Sequence, residues 1–184
     1  FIHQYADAWK KQTNGGFKIV FVDDGSDDGS ADRIAEAFRG FENFQLVRSS
    51  RQGRGAALNL ALEHVETDIF CIADVDDVPI PQRVEWTRRV FEADPSLQMA
   101  GFGIYDDLTA MREQSTFAVS EVDVEARAFL GMPFPFPAAS FRMSAVHEAF
   151  DTSLEGAIDC DWLMRILSGP ALKGRYFPTS AVYY

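Results

Sequence analysis

The chain has 184 residues, 47% hydrophobic and 24% charged, the composition of a single globular domain with enough apolar side chains for a core. Seventeen basic residues against 28 acidic ones give a formal charge of −11, which argues against nucleic acid or an anionic membrane surface as a partner. A phosphorylated ligand would therefore need a local positive element, either a metal ion or placed arginines. The two cysteines, Cys71 and Cys160, do not make a disulfide framework and fit a reducing compartment. That predicts a cytoplasmic location, at most at the cytoplasmic face of a membrane, since no apolar run reaches the length of a span.

Apolar residues at 1, 2, 5, 6 and 9 predict a helix over Phe1–Gln12, stopped by Asn14-Gly15-Gly16. Phe17–Val22 reads as a strand running into Asp23-Asp24-Gly25-Ser26-Asp27-Asp28-Gly29-Ser30. Ala31–Phe38 is an amphipathic helix with Ser30 as N-cap, Phe44–Val47 a short strand, and Arg51-Gln52-Gly53-Arg54-Gly55 a basic loop opening a helix over Ala56–Val65. The uncharged run at 69–73 reads as a strand buried on both faces. A helix from Gln82 to Ala93 and a strand over Leu97–Ile104 follow. This alternation predicts an α/β fold with a mostly parallel, doubly wound sheet.

After Tyr105 the pattern changes. Asp106–Val119 reads as a hairpin or irregular excursion, and Glu121–Leu130 is ambiguous. Gly131–Ser140 is a proline-rich loop. Ser140–Met143 reads as a strand, Ser144–Phe150 as a short helix, Asp159–Leu167 as a helix and Tyr176–Tyr184 as extended chain. The expected organisation is one domain over 1–184, with a nucleotide-binding half at 1–105 and an acceptor-binding half at 106–184. In the proline-rich loop, Met132, Phe134 and Phe136 either shape an acceptor site or plug the core.

Three carboxylates, Asp74, Asp76 and Asp77, follow the buried run within four positions. Such a cluster at the C-terminal end of a strand lies where open α/β sheets bind ligands, and its mutual repulsion calls for a cation. Oxygen ligands suit Mg²⁺ or Mn²⁺; a solvated acidic turn is the structural alternative. The Asp23–Ser30 stretch fails as a calcium loop. Counted from Asp24, its twelfth position is Ala35 where a bidentate Glu is needed. It reads instead as a strand-to-helix turn in which Asp24 accepts hydrogen bonds from a base or ribose, or as a plain capped turn. Arg54, at a helix start, could meet phosphate or base oxygens or be a surface residue; no G-K-[ST] follows that would make a Walker loop. His3, His64 and His147 are scattered. Asp161 and Arg165 stand i and i+4 and suit an ion pair. Asp159 is left as an N-cap or a general base.

Taken in order, these segments resemble an inverting family 2 glycosyltransferase of the GT-A fold. Phe17–Ser30 is similar to that family's strand followed by V-D-D-G-S and D-G-S. Gly53–Asn59 with Ile69–Asp77 resembles its glycine-rich helix start and D-x-D-D strand end. Ser140–Met143 with Phe150-Asp151 resembles its strand-Arg and f-D-e segments, and Asp159 to Arg165 its E-D-x-x-L-x-x-R. The resemblance implies sugar transfer from a nucleotide-diphospho-sugar donor to a saccharide or lipid-linked acceptor hydroxyl, as in polysaccharide or cell-envelope biosynthesis. It implies Mn²⁺ or Mg²⁺ as cofactor, Asp77 as metal ligand, and Asp76 on the ribose or metal. Asp74 is the first member of the same motif. Asp24 would bind the nucleobase with help from Arg54, and Asp159 would be the catalytic base.

The chain departs from that pattern in three places. The family opens with a central strand, roughly V-S-I-I-I-P-x-Y-N, and this chain begins in the helix after it. Ile158 stands where a Glu usually precedes the base, and the sequence stops before any Q-x-x-R-W segment. The expectation is therefore a piece of a longer protein, whose residues before Phe1 form a strand between the Phe17 and Ile69 strands. Two other readings are a non-catalytic sugar-nucleotide-binding domain of the same fold and a sugar-nucleotide pyrophosphorylase.

Overall fold

The computed structural model describes residues 1–105, 122–124, 128, 132–169 and 172–183. The alternation expected of the first half is present. It comprises α1 (Ile2–Lys10), β1 (Ile19–Asp23), α2 (Ser30–Ala37), β2 (Phe44–Arg48), α3 (Arg54–Glu63), β3 (Ile69–Cys71), a two-residue strand β4 (Val78–Pro79), α4 (Arg83–Ala93) and β5 (Met99–Tyr105). The second half adds β6 (Val122–Asp123), β7 (Ala139–Arg142), α5 (Ile158–Leu167) and β8 (Gly174–Tyr183). Apart from Val122–Val124 and Ala128, the expectations for 106–130 lie outside the described residues.

The α/β class holds, but the pairing is mixed rather than mostly parallel. β1 and β2 pair in parallel as a sheet of their own. The second sheet runs β3-β7-β5-β8-β4, with β6 on β8. Only β5–β8 is parallel there; β3–β7, β5–β7, β4–β8 and β6–β8 are antiparallel. Parallel neighbours need a crossover, usually a helix, to bring the chain back to its starting end. β7 is entered from a proline-rich 3₁₀ turn at Phe136–Ala138, and it inserts antiparallel between β3 and β5.

Local chemistry moved several boundaries. Gly29, at φ 77°, is the N-cap of α2, and Ser30 is the first helical residue, its N–H donating to Asp28 Oδ1 at 2.9 Å. The short helix expected over Ser144–Phe150 is absent; a 3₁₀ turn at Met143–Ala145 is followed by irregular chain. Phe134 and Phe136 are core side chains, 2% and 3% exposed. Phe134 packs edge-on to Phe141, and Phe136 packs edge-on to Phe150 and Trp162. Aromatic rings of this size dominate core burial. The prolines that keep the loop extended also aim alternate rings down into the sheet. Phe136→Ala should cost about 3–5 kcal/mol of stability, read by denaturant unfolding; an unchanged midpoint would contradict the core placement.

β1 and β3 are not hydrogen-bonded to each other, and no described strand lies between them. A largely apolar cavity of about 450 Å³ separates them, lined by Lys18–Val22 on one side, Phe70–Val75 on the other, and Ala57, Leu58 and Ala61 of α3. Successive residues of a strand turn their backbone groups to opposite sides. Ser49 N–H donates to Asp23 C=O on the β2 side, and Ile72 N–H donates to Ala139 C=O on the β7 side, so Val20, Val22 and Cys71 turn theirs toward the cavity. Trp9 Nε1, buried at its edge, has no hydrogen-bond partner among the described residues. Hydrogen exchange checks this orientation: in the 184-residue chain the Val20, Val22 and Cys71 amides should exchange fast, and protection at all three would contradict it.

Candidate active site

The candidate site is organised by two turns. In the first, β3 ends and the chain turns so that Asp77 N–H donates to Asp74 C=O at 3.2 Å. That turn sets Asp74, Asp76 and Asp77 along one wall of a cavity of about 320 Å³. In the second, Asp24 at the end of β1 holds the loop that starts α3. Its carboxylate accepts from Ser49 Oγ at 2.7 Å, from Gln52 N–H at 2.9 Å and from Gly53 N–H at 2.7 Å. Those bonds, the Gln52 amide foremost, hold the Asp24 carboxyl below its ordinary pKa. Gly25 allows the close approach, because a Cβ there would lie 2.7 Å from Arg51 N.

With the loop fixed, Gly53 takes φ 94° and Arg54 becomes the first residue of α3. Arg54 Nη2 lies 3.0 Å from each oxygen of Asp74. Three of the site residues expected from sequence are thus engaged with protein: Asp24 anchors a loop, and Asp74 and Arg54 are paired with each other. Asp76 is exposed. Asp77 is 4% exposed, and its Oδ1 has no partner among the described residues. Burial first, then the Asp74 and Asp76 charges, pushes the Asp77 carboxyl up to about 6, with Arg54 opposing.

Among the described residues no three His, Cys, Asp or Glu side chains converge as a ready metal cage. The donor set nonetheless fits a divalent cation. A buried carboxylate oxygen lacks a partner, two more carboxylates line the same cavity, and all the donors are hard oxygens. Mg²⁺ sites commonly use one or two carboxylates and complete the shell with waters and substrate phosphates.

The opposite wall comes from α5. Ala157, at φ 52°, caps the helix, so Asp159 falls in its first turn rather than at the cap. Asp159 is half-buried, lines the cavity with Arg54, Met132 and Pro135, and makes no hydrogen bond or ion pair to a described residue. Asp161, its rival two residues on, is paired with Arg165 at 2.8 Å as the i,i+4 spacing predicts. The sequence reading missed Asn59, discussed below, and the use of Asp24 as a loop anchor. An Asp that opens a strand-following turn gives no signal of contacts 25 to 29 positions away.

The Asp77 environment makes a pH-dependent prediction. An acid whose folded pKa lies above its unfolded value, about 3.9, binds more protons in the folded state between the two values. Its contribution to stability therefore falls as pH rises from about 4 through 6. In EDTA, Asp77→Asn should raise the melting midpoint at pH 7 by a few degrees, on the order of 5 °C, and give no such advantage at pH 4. Equal destabilisation at both pH values would contradict the electrostatic reading.

Comparison with known proteins bears on the family and the fold. The family model "Glycosyl transferase family 2" matches residues 1–150. The amylovoran biosynthesis glycosyltransferase AmsE of Erwinia amylovora is 25% identical over 150 residues, 80% of this chain and 56% of AmsE. Staphylococcus aureus TarS 1–349, solved with UDP-GlcNAc, superposes with a TM-score of 0.78 at 20% identity, covering all of this chain and 54% of TarS. The mannosyltransferase PcManGT of Pyrobaculum calidifontis, solved with GDP-Man and Mn²⁺, gives 0.73 at 20% identity, covering all of this chain and 52% of that one. The two structures share the GT-A fold, and the chain spans about half the length of these relatives. With most of its length matched by the family model and the acidic turn, Arg54 and Asp159 gathered at one cavity, the chain belongs to glycosyl transferase family 2.

Proposed function

We propose that the protein moves a glycosyl group from a nucleotide-diphospho-sugar to an acceptor hydroxyl, with inversion at the anomeric carbon and dependence on Mn²⁺ or Mg²⁺. The observation that carries this reading is the placement of Asp159. Its carboxylate, without a hydrogen-bond or ion-pair partner among the described residues, lines the same cavity of about 320 Å³ as the Asp74–Asp77 turn. Inversion by a single displacement needs one base on the acceptor side and a stabilised diphosphate leaving group on the other.

The acceptor hydroxyl gives its proton to Asp159 as its oxygen bonds to the anomeric carbon, and the bond from that carbon to the diphosphate oxygen breaks. Asp76 and Asp77 are the residues that would hold the cation. When bound, it neutralises the charge that builds on the leaving diphosphate. Arg54 adds a fixed positive group at the N-terminus of α3, where an anion is already favoured. Asp24 acts here through the loop it holds, keeping Arg54 at the cavity. Its base-binding role needs only that the nucleotide lie against that loop. The donors bound by the neighbours, UDP-GlcNAc in TarS and GDP-Man in PcManGT, make UDP- and GDP-sugars the first donors to screen, with dTDP-sugars beside them. No described helix is long and apolar enough to cross a membrane.

Asp159→Asn removes the base and leaves the acidic turn intact. Donor hydrolysis or transfer should fall by about 10²–10⁴-fold, with the donor Kd in Mn²⁺ within about twofold of wild type by calorimetry. A variant that turns over near the wild-type rate overturns the assignment. Asp161→Asn should instead lower the melting midpoint, through loss of its pair with Arg165, and keep the rate of the folded protein.

A further inference from the structure

Two parts of the chain that share no strand bring Arg54 and Asp159 to the cavity: α3 presents the first and α5 the second. What holds them in register is the segment Glu148–Asp151 between them. Asn59 of α3 satisfies both backbone polar groups of one residue in that segment. Its Nδ2 donates to Phe150 C=O at 3.0 Å, and Phe150 N–H donates to Oδ1 at 2.8 Å. One turn earlier on the same face, Gly55 leaves no room for a side chain, since a Cβ would lie 2.9 Å from Asp151 O. The helix is therefore seated directly on the segment's backbone.

The other side of the segment is fixed to α5. The Phe150 ring stacks on Trp162 with centroids 4.3 Å apart and planes 17° from parallel. Trp162 Nε1 donates to Glu148 C=O at 2.7 Å, and Arg165 reaches the Glu148 carboxylate at 3.1 Å. Trp162 is fully buried and stands three residues after Asp159, on the neighbouring face of the same helix. A shift of Phe150 would carry Trp162, and with it the first turn of α5.

We infer that Asn59 is a positioning residue, which fixes the Asp159 carboxylate relative to the Arg54 side of the cavity through Phe150 and Trp162. The inference rests on Asp159 being the base. Asn59 does not line the cavity; it acts through the geometry of another residue, where about 1 Å of misplacement can cost 10²-fold in rate. A simpler structural role would only lower stability, so the test must separate the two.

In the full-length protein, Asn59→Asp keeps the acceptor for Phe150 N–H and opposes Phe150 C=O with a second oxygen. Asn59→Leu removes both bonds at similar volume. Hydrolysis is followed with UDP-GlcNAc and GDP-mannose in Mn²⁺, well below the melting midpoint, with water in the acceptor's place. Each variant should lose about 10- to 100-fold in kcat, with KM and donor Kd within about twofold. In an Asp159→Asn background the Asn59 substitution should cost nothing further, because it acts through the carboxylate already removed. If neither Asn59 variant folds, Trp162→Phe, which keeps the ring stack and drops the Glu148 bond, should lower kcat in the same pattern. A folded variant with wild-type kcat, or one that loses donor affinity by the same factor as kcat, overturns the inference. An Asp159→Asn enzyme of wild-type rate would instead overturn the base assignment itself.

Discussion

Three carboxylates in one turn at the end of a buried strand is the constraint from which the rest of the site follows. Like charges so close raise each other's pKa unless an opposite charge intervenes. Among the described residues one such charge, Arg54, acts on the turn, and it pairs with Asp74. Asp77 is left buried with an unpartnered oxygen and a raised pKa, an arrangement that costs stability in the isolated protein. Such strain is commonly held at functional sites and offset elsewhere in the fold. Here the offset comes from a core in which Trp162, Phe141, Phe134 and Phe136 pack around β7.

The constraint also explains why a loop 25 to 29 residues from Asp24 is tied to it. Arg54 can face Asp74 only if α3 begins where it does. That start depends on the three bonds to Asp24 and on Gly53 at a positive φ. The same helix then reaches Phe150 through Asn59. One short helix thus carries the cation that neutralises one wall and the amide that aligns the other. Its apolar residues line the cavity between β1 and β3, and Leu58 and Leu62 also pack against the core around β7, so burial and the two polar anchors together set its placement.

Much of this was legible in the sequence because it depends on neighbours. The helix–strand alternation, the acidic turn after β3 and the Asp161–Arg165 pair all follow from local spacing. Strand direction was not legible, because the choice between parallel and antiparallel for β7 depends on how a proline-rich turn delivers it between β3 and β5. The proline-rich loop was left between acceptor site and core for a related reason. Phe134 and Phe136 alternate with prolines in sequence, yet only the space left by Gly101, whose Cβ would lie 2.2 Å from the Phe134 ring, shows that the ring points inward. Asp24 and Asn59 form their defining bonds across 25 to 91 residues, separations at which a single sequence carries no pairing signal.

On the proposed function, the acidic turn is a cation site completed by the donor's diphosphate. Anomalous diffraction at the manganese edge, from crystals of the full-length protein grown with Mn²⁺ and UDP or GDP, tests it most directly. A single peak is expected beside Asp77, with a carboxylate oxygen at about 2.1–2.3 Å and a phosphate oxygen of the nucleotide on the side facing Asp159. Nucleotide bound in the cavity with no manganese peak at the Asp74–Asp77 turn would contradict the claim.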